Sequence, residues 1–97
     1  MFLEIVTPEA ILFSSEIDSL SVPGVTGSFQ MLNNHAAVVS VLKEGTVGIH
    51  VHSQEGLNLD ELSDKFVPQA DDQKVLTLQI NSGTVEMKDN KIILLVD

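Results

Sequence analysis

The sequence predicts an all-β fold, a sandwich of short strands, and three observations carry that expectation. Residues 21–47 run as short alternating patterns cut by Pro-Gly, Gly-Ser, Asn-Asn-His and Glu-Gly, the residue types that end strands and reverse a chain. Hydrophobic residues make up 43% of the chain, mostly Val, Ile and Leu, and the only aromatics are Phe2, Phe13, Phe29 and Phe66, which describes an aliphatic core. Only residues 53–73 break the strand rhythm. With 97 residues and no shift in composition, the chain is expected to form one domain over 1–97, because smaller units could not bury adequate cores.

Residues 2–6 and 10–14 read as two strands separated by Thr7-Pro8-Glu9, where Pro8 removes a backbone donor and fixes φ. Residues 16–22 alternate and should end at Pro23-Gly24, a pair suited to a type II turn. After Gly27, Phe29 and Met31 share one face and Ser28 and Gln30 the other. Asn33-Asn34 can then take left-handed conformations that close this strand.

Residues 36–42 are apolar except for Ser40, which fits a buried strand or a turn of buried helix; the β-branched run Val38-Val39-Ser40-Val41 favours the strand. Residues 46–52 alternate most clearly, with Val47, Ile49 and Val51 on one side, and residues 74–80 follow the same rule through Leu76, Leu78 and Ile80. Asn81-Ser82-Gly83 is a turn, 84–88 a strand, Asp89-Asn90 a two-residue hairpin signal, and 91–96 a closing strand expected to be buried on both faces. That count is nine strands. Within 53–73, Asn58 is placed to cap a short helix with Leu59, Leu62 and Phe66 on one face, ended by Pro68; a long acidic loop is the alternative.

Composition excludes several functions. Fourteen acidic residues face five lysines and no arginine, a net charge of -9, so a phosphate backbone would meet repulsion and nucleic acid is not an expected partner. Without cysteine there are no disulfides, thiolate metal sites or thiol catalysis. No apolar run reaches the length of a membrane span, and the N-terminal residues lack a basic signal-peptide region. His50 and His52 project from the same side of one strand, a geometry that chelates a metal only if a third ligand arrives from elsewhere; no metal or cofactor is expected. The serines form no nucleophile elbow, and Asp60-Glu61 and Asp71-Asp72 lack the burial that separates two pKa values. Gly24 and Gly27 precede a strand and so do not form a phosphate cradle.

Several segments taken together resemble a known family. Leu3-Glu4-Ile5-Val6-Thr7-Pro8 opens the chain, Phe13-Ser14 ends the second strand, and Gly24 and Gly27 frame the approach to the fourth. Asn33-Asn34-His35-Ala36 stands where the family usually has Pro-Gly-His-Ala, followed by Gly45. Ser82-Gly83-Thr84-Val85-Glu86-Met87 and residues 91–97 match its closing hairpin. In this order the segments resemble the N-terminal β-sandwich of the epsilon subunit of F-type ATP synthases, called delta in mitochondria.

The resemblance implies a flattened ten-strand sandwich or barrel that is not catalytic by itself. It implies a place in the rotor, linking the gamma subunit to the c-ring, with membrane association only through the complex and a location at the cytoplasmic face of the membrane. By position, Thr26, Gly27 and Ser28 are expected at the c-ring, and Thr7, His35 and Ser40 on the gamma-facing side. Some of Leu32, Val38 and Val39 are then expected to be exposed, since an interface buries an apolar patch. Residues 53–73 are longer than the family's connection, and the chain reaches Asp97 where the family usually continues into a helical hairpin, so that hairpin's regulatory and ATP-binding roles are not expected here. Met1 fits a native start. The alternative is a free-standing peptide- or carbohydrate-binding sandwich, which would need an aromatic platform; the chain has no Trp or Tyr to build one.

Overall fold

Ten strands and no helix make up the described part of the chain, residues 1–51, 66–69 and 72–97 of a computed structural model. The strands are β1 (Phe2–Val6), β2 (Ile11–Glu16), β3 (Ser19–Gly24), β4 (Gly27–Leu32), β5 (Val38–Leu42), β6 (Gly45–His50), β7 (Phe66–Gln69), β8 (Asp72–Ile80), β9 (Gly83–Lys88) and β10 (Lys91–Val96). They pair in the order β2-β1-β10-β9-β5-β3-β6-β8-β7, with β4 on the other side of β3. Every pairing is antiparallel except β1 with β10, which joins the first and last strands in parallel.

The sheet folds over on itself at β3. This strand pairs with β6 through Ser19, Leu20 and Ser21 but meets β5 only at Gly24↔Leu42, so it serves as the corner between two layers. The inward side chains of both layers interdigitate in an aliphatic core in which Leu3, Ile5, Leu20, Ile49, Leu76 and Leu94 are fully buried. Period-two alternation explains the selection: β1 buries Leu3 and Ile5, β9 buries Val85 and Met87, and β10 buries Ile92, Leu94 and Val96.

The structure differs from the sequence expectation at four places. Pro23 and Gly24 are buried strand residues, and the turn falls two residues later, at Val25-Thr26. Gly24 is needed there because a Cβ would lie 2.7 Å from the Gly27 carbonyl oxygen and 2.9 Å from the Phe29 ring. Strand β5 forms as expected but is buried on one face only: Leu42 joins the core, while Val39 and Val41 are 77% and 61% exposed. β10 is buried on one face only, with Leu95 half exposed on the other.

The fourth difference is the tenth strand. Phe66 and Pro68 belong to β7, which pairs antiparallel with β8, so Phe66 is not the last residue of a helix. The rest of the helix expected within 53–73, Asn58, Leu59 and Leu62 included, lies outside the described residues.

Two turns match their sequence signals closely. Asp89 and Asn90 both have positive φ, 53° and 63°, as a type I′ hairpin requires, and Asn34 at 63° supplies the left-handed residue after β4.

Candidate functional site

Strand register places one row of side chains across the outer face of the β2-β1-β10-β9-β5 layer. Ile11 pairs with Val6, Val6 with Leu95, Leu95 with Thr84, and Thr84 with Val41. Paired residues lie on the same side of a sheet, so these five form a line crossing five strands, about 19 Å long at the usual strand spacing. Ile11, Leu95 and Val41 are 62%, 50% and 61% exposed. Beside it runs a second row, Ser14, Glu4, Ile93, Glu86 and Val39, which mixes two carboxylates with apolar groups. A third row holds Glu16, Phe2, Lys91 and Lys88, with the Lys91 ammonium 6.0 Å from the Phe2 ring centre.

Alternation normally gives an antiparallel layer a polar outer face. Here both outer positions of β5, Val39 and Val41, are branched aliphatics, joined by Ile11 of β2 and by Ile93 and Leu95 of β10, while Ser14, Glu16 and Lys91 take the other outer positions of those two strands. A contiguous apolar row rimmed by charges marks a surface meant to be covered.

The β3–β4 hairpin extends this face. The Val25 N–H donates to the Val41 carbonyl at 3.3 Å, which holds the hairpin tip against the end of the apolar row, and Val25 is itself 57% exposed. Thr26, Gly27 and Ser28 are all exposed on this tip, so the structure brings those three together on one protrusion. Gly27 has φ 138°, a backbone shape that favours glycine and keeps the tip free of bulk.

Thr7, His35 and Ser40 are dispersed. Thr7 is buried: its hydroxyl accepts from the Ala10 N–H at 3.1 Å and donates to the Ala10 carbonyl at 3.2 Å, closing the β1–β2 turn. His35 is exposed in the β4–β5 turn, and its Nδ1 donates to the Ala36 carbonyl at 2.7 Å. Ser40 is half-buried and pairs with the core residue Val85, so it lies on the inner side of β5 while Val39 and Val41 face out.

The sequence points to some exposed aliphatics but not to the outer row itself. Leu32 and Val39 are exposed, at 55% and 77%, as expected, and Val38 is half-buried. Ile11, Val25, Val41 and Leu95 were missed. The available signal was β5, which is apolar at both strand parities, a pattern that fits burial on two faces or burial on one and docking on the other.

No chemistry competes with this reading among the described residues. They contain no group of three His, Asp or Glu side chains placed to hold a metal. His50 Nδ1 is buried without a hydrogen-bond partner, and His52 lies outside the described residues. A groove of about 330 Å³ beside Leu12, Ile80, Val96 and Asp97 offers no acid–base pair. Slight burial there works to raise the Asp97 pKa, but hydrogen bonds from the Ser82 backbone, its own backbone and Asn81 outweigh it and hold the carboxyl below its ordinary value.

Comparison with known proteins bears on family and fold. Residues 1–59 match the profile of the ATP synthase delta/epsilon chain β-sandwich domain. The ATP synthase epsilon chain of Chlorobaculum tepidum is 38% identical over 95 residues, covering 98% of this chain and 86% of that one. That of Campylobacter fetus is 37% identical over 95 residues, covering 98% of this chain but only 59% of its own. The chain thus spans about three-fifths of several relatives and most of others.

Two solved structures share the fold. One is from the central stalk and c-ring of the Tetrahymena thermophila mitochondrial ATP synthase, with TM-score 0.69, 17% identity, and coverage of 98% of this chain and 61% of that chain. The other is from the OSCP/F1/c-ring assembly of Euglena gracilis mitochondrial ATP synthase, with TM-score 0.72, 14% identity, and coverage of 97% and 48%. By its sequence match over more than half its length, its relatives aligned over nearly the whole chain and its ten-strand sandwich, this chain belongs to the ATP synthase delta/epsilon chain family.

Proposed function

We propose that the chain is a non-catalytic central-stalk subunit of an F-type ATP synthase, linking the gamma subunit to the c-ring and helping couple proton translocation to ATP synthesis. The observation that carries this reading is the apolar row Ile11, Val6, Leu95, Thr84 and Val41, which has no role in the core and suits a permanent protein contact. In this reading the row faces gamma, and the polar hairpin tip of Thr26, Gly27 and Ser28 faces the c-ring. Thr7 shapes the turn at one end of the row, His35 contributes from the β4–β5 turn, and Ser40 acts by packing β5 from its inner side. The chain meets the cytoplasmic face of the membrane only through the complex.

A rotor part must transmit torque without deforming. A closely packed sandwich with a double-layered aliphatic core does so through low compressibility, and needs no reactive group.

The test is co-purification with the gamma subunit. The parent chain should bind, the double variant Val39→Glu, Val41→Glu should not, and bulky charged residues at His35 and Ser40 should weaken binding. Failure of the parent to bind gamma would overturn the reading. Unchanged binding by the double variant would move the interface off this face.

A further inference from the structure

Strand register sorts four charges on the outer face of β1, β9 and β10 by sign. Glu4 and Glu86 lie in the row beside the aliphatic one, on either side of Ile93. One row further along the strands, Lys91 pairs with Lys88. Successive rows are about 7 Å apart, and two strand spacings separate Glu4 from Glu86 by about 10 Å. Glu86, Lys88 and Lys91 are exposed, and Glu4 is half-buried.

Across a ladder, opposite charges attract, and like charges directly opposed destabilise the pairing. Lys88 and Lys91 are directly opposed, and among the described residues none of the four charges enters an ion pair. Glu16, at the far end of the lysine row, is taken by the Met1 ammonium at 3.1 Å. The Lys91 ammonium instead lies 6.0 Å from the Phe2 ring centre, a contact that keeps it on the outer face.

We propose that these rows recognise a partner surface of matching charge order. It presents an apolar ridge to the aliphatic row, two cationic side chains to Glu4 and Glu86, and a carboxylate to Lys88 and Lys91. This rests on the function proposed above, in which the gamma subunit covers the face, and adds the chemistry that gamma must present there. Apolar contact alone tolerates sliding. The sign order does not: a shift of one row, about 7 Å, lays the partner's cations on the lysines.

A second copy of the chain does not fit this order. A two-fold axis along the strands sets each charge row against its own sign. An axis across the strands sets glutamates against lysines only by carrying each aliphatic row past the strand ends of the other copy, where it stays uncovered. The net charge of -9 on each copy adds repulsion.

The test is calorimetric titration of the purified gamma subunit with the full chain and with two double variants, Glu4→Gln, Glu86→Gln and Lys88→Gln, Lys91→Gln. Each double variant should bind roughly tenfold more weakly or worse. The difference from the parent should shrink as salt is raised. Thermal unfolding of each isolated variant should move by less than about 4 °C, as for surface substitutions.

Loss of affinity in both variants is the distinguishing result, because a uniformly basic partner would bind the lysine variant more tightly and a uniformly acidic one the glutamate variant. Tighter binding by either variant, or parental binding by both, would overturn the proposal and leave the rotor function standing. A larger unfolding shift would assign the charges to the fold, and dimerisation lost in the lysine variant would assign them to self-pairing; either overturns the proposal. No binding by the parent would overturn the rotor function and this proposal with it.

Discussion

The Phe13 and Phe66 rings meet 5.9 Å apart and tilted by 41°, although β2 and β7 stand at opposite ends of the hydrogen-bonded strand order. Among the described residues no backbone ladder closes the sheet between them. This tilted ring pair joins the two ends of the strand order through side chains. Truncating either ring removes a large buried side chain and leaves a cavity, at a cost of about 3–5 kcal/mol. The double variant Phe13→Ala, Phe66→Ala should fall short of the sum by about 0.5–1.5 kcal/mol, the coupling expected of an aromatic pair. Urea denaturation of the four proteins measures this; a coupling near zero would mean that the seam is held by general packing instead.

Asn90 ties together two turns that are 56 residues apart in sequence. Its Oδ1 accepts from the Asn34 N–H and its Nδ2 donates to Asn33 Oδ1, each at 2.8 Å. Asn90→Gly preserves the left-handed backbone and loses only this clamp, at about 0.5–1.5 kcal/mol per net hydrogen bond. Asn90→Ala also strains the positive φ and should cost about 1–2 kcal/mol more. Thermal or urea unfolding should order them parent, glycine, alanine, and hydrogen exchange at the Asn34 amide should accelerate in both variants. If alanine matched glycine, the hairpin would not depend on the left-handed residue.

The legibility of these features follows their range along the chain. Alternation in residues 46–52 and 74–80 identified the buried faces of β6 and β8, and Asp89-Asn90 identified its hairpin, because each signal is local. The type II turn placed at Pro23-Gly24 failed for a tertiary reason: close approach to Gly27 and Phe29 demands the small residue inside the strand, and the turn itself takes Val25-Thr26. The Asn90 clamp and the Phe13–Phe66 seam join distant segments and leave no periodic trace. β7 went unread because Pro68 looked like a helix stop, whereas an edge strand also tolerates it. The exposed apolar face was half legible. Val38 to Leu42 is apolar at both parities, but composition alone does not distinguish a second core from a surface awaiting a partner.

Adjacent leucines on β10 separate the two roles. Leu94 is fully buried and Leu95 is half exposed in the outer row. Leu94→Ala should destabilise the chain by about 2–5 kcal/mol through loss of core burial. Leu95→Lys should change stability by less than about 0.5 kcal/mol, as surface substitutions usually do, while weakening gamma binding in the co-purification assay. A Leu95→Lys variant that unfolded the isolated chain would show that the row serves stability, and would remove the main support for docking.

The hairpin tip offers a contrast between crowding and backbone shape. At Gly24 an added Cβ meets the Gly27 carbonyl and the Phe29 ring, whereas at Gly27 nothing lies within 4 Å. Space alone therefore predicts that Gly27→Ala is harmless. Its φ of 138° predicts otherwise, since a residue with a Cβ held in that region costs about 1–3 kcal/mol. Both variants should destabilise, but differently: Gly24→Ala should perturb Phe29 and the core, and Gly27→Ala should leave core shifts unchanged and move only residues 25–28. Side-chain methyl and backbone amide spectra of the two variants distinguish these outcomes. If Gly27→Ala were neutral, the tip could relax to an ordinary φ, and a rigid contact made through Thr26, Gly27 and Ser28 would lose its physical basis.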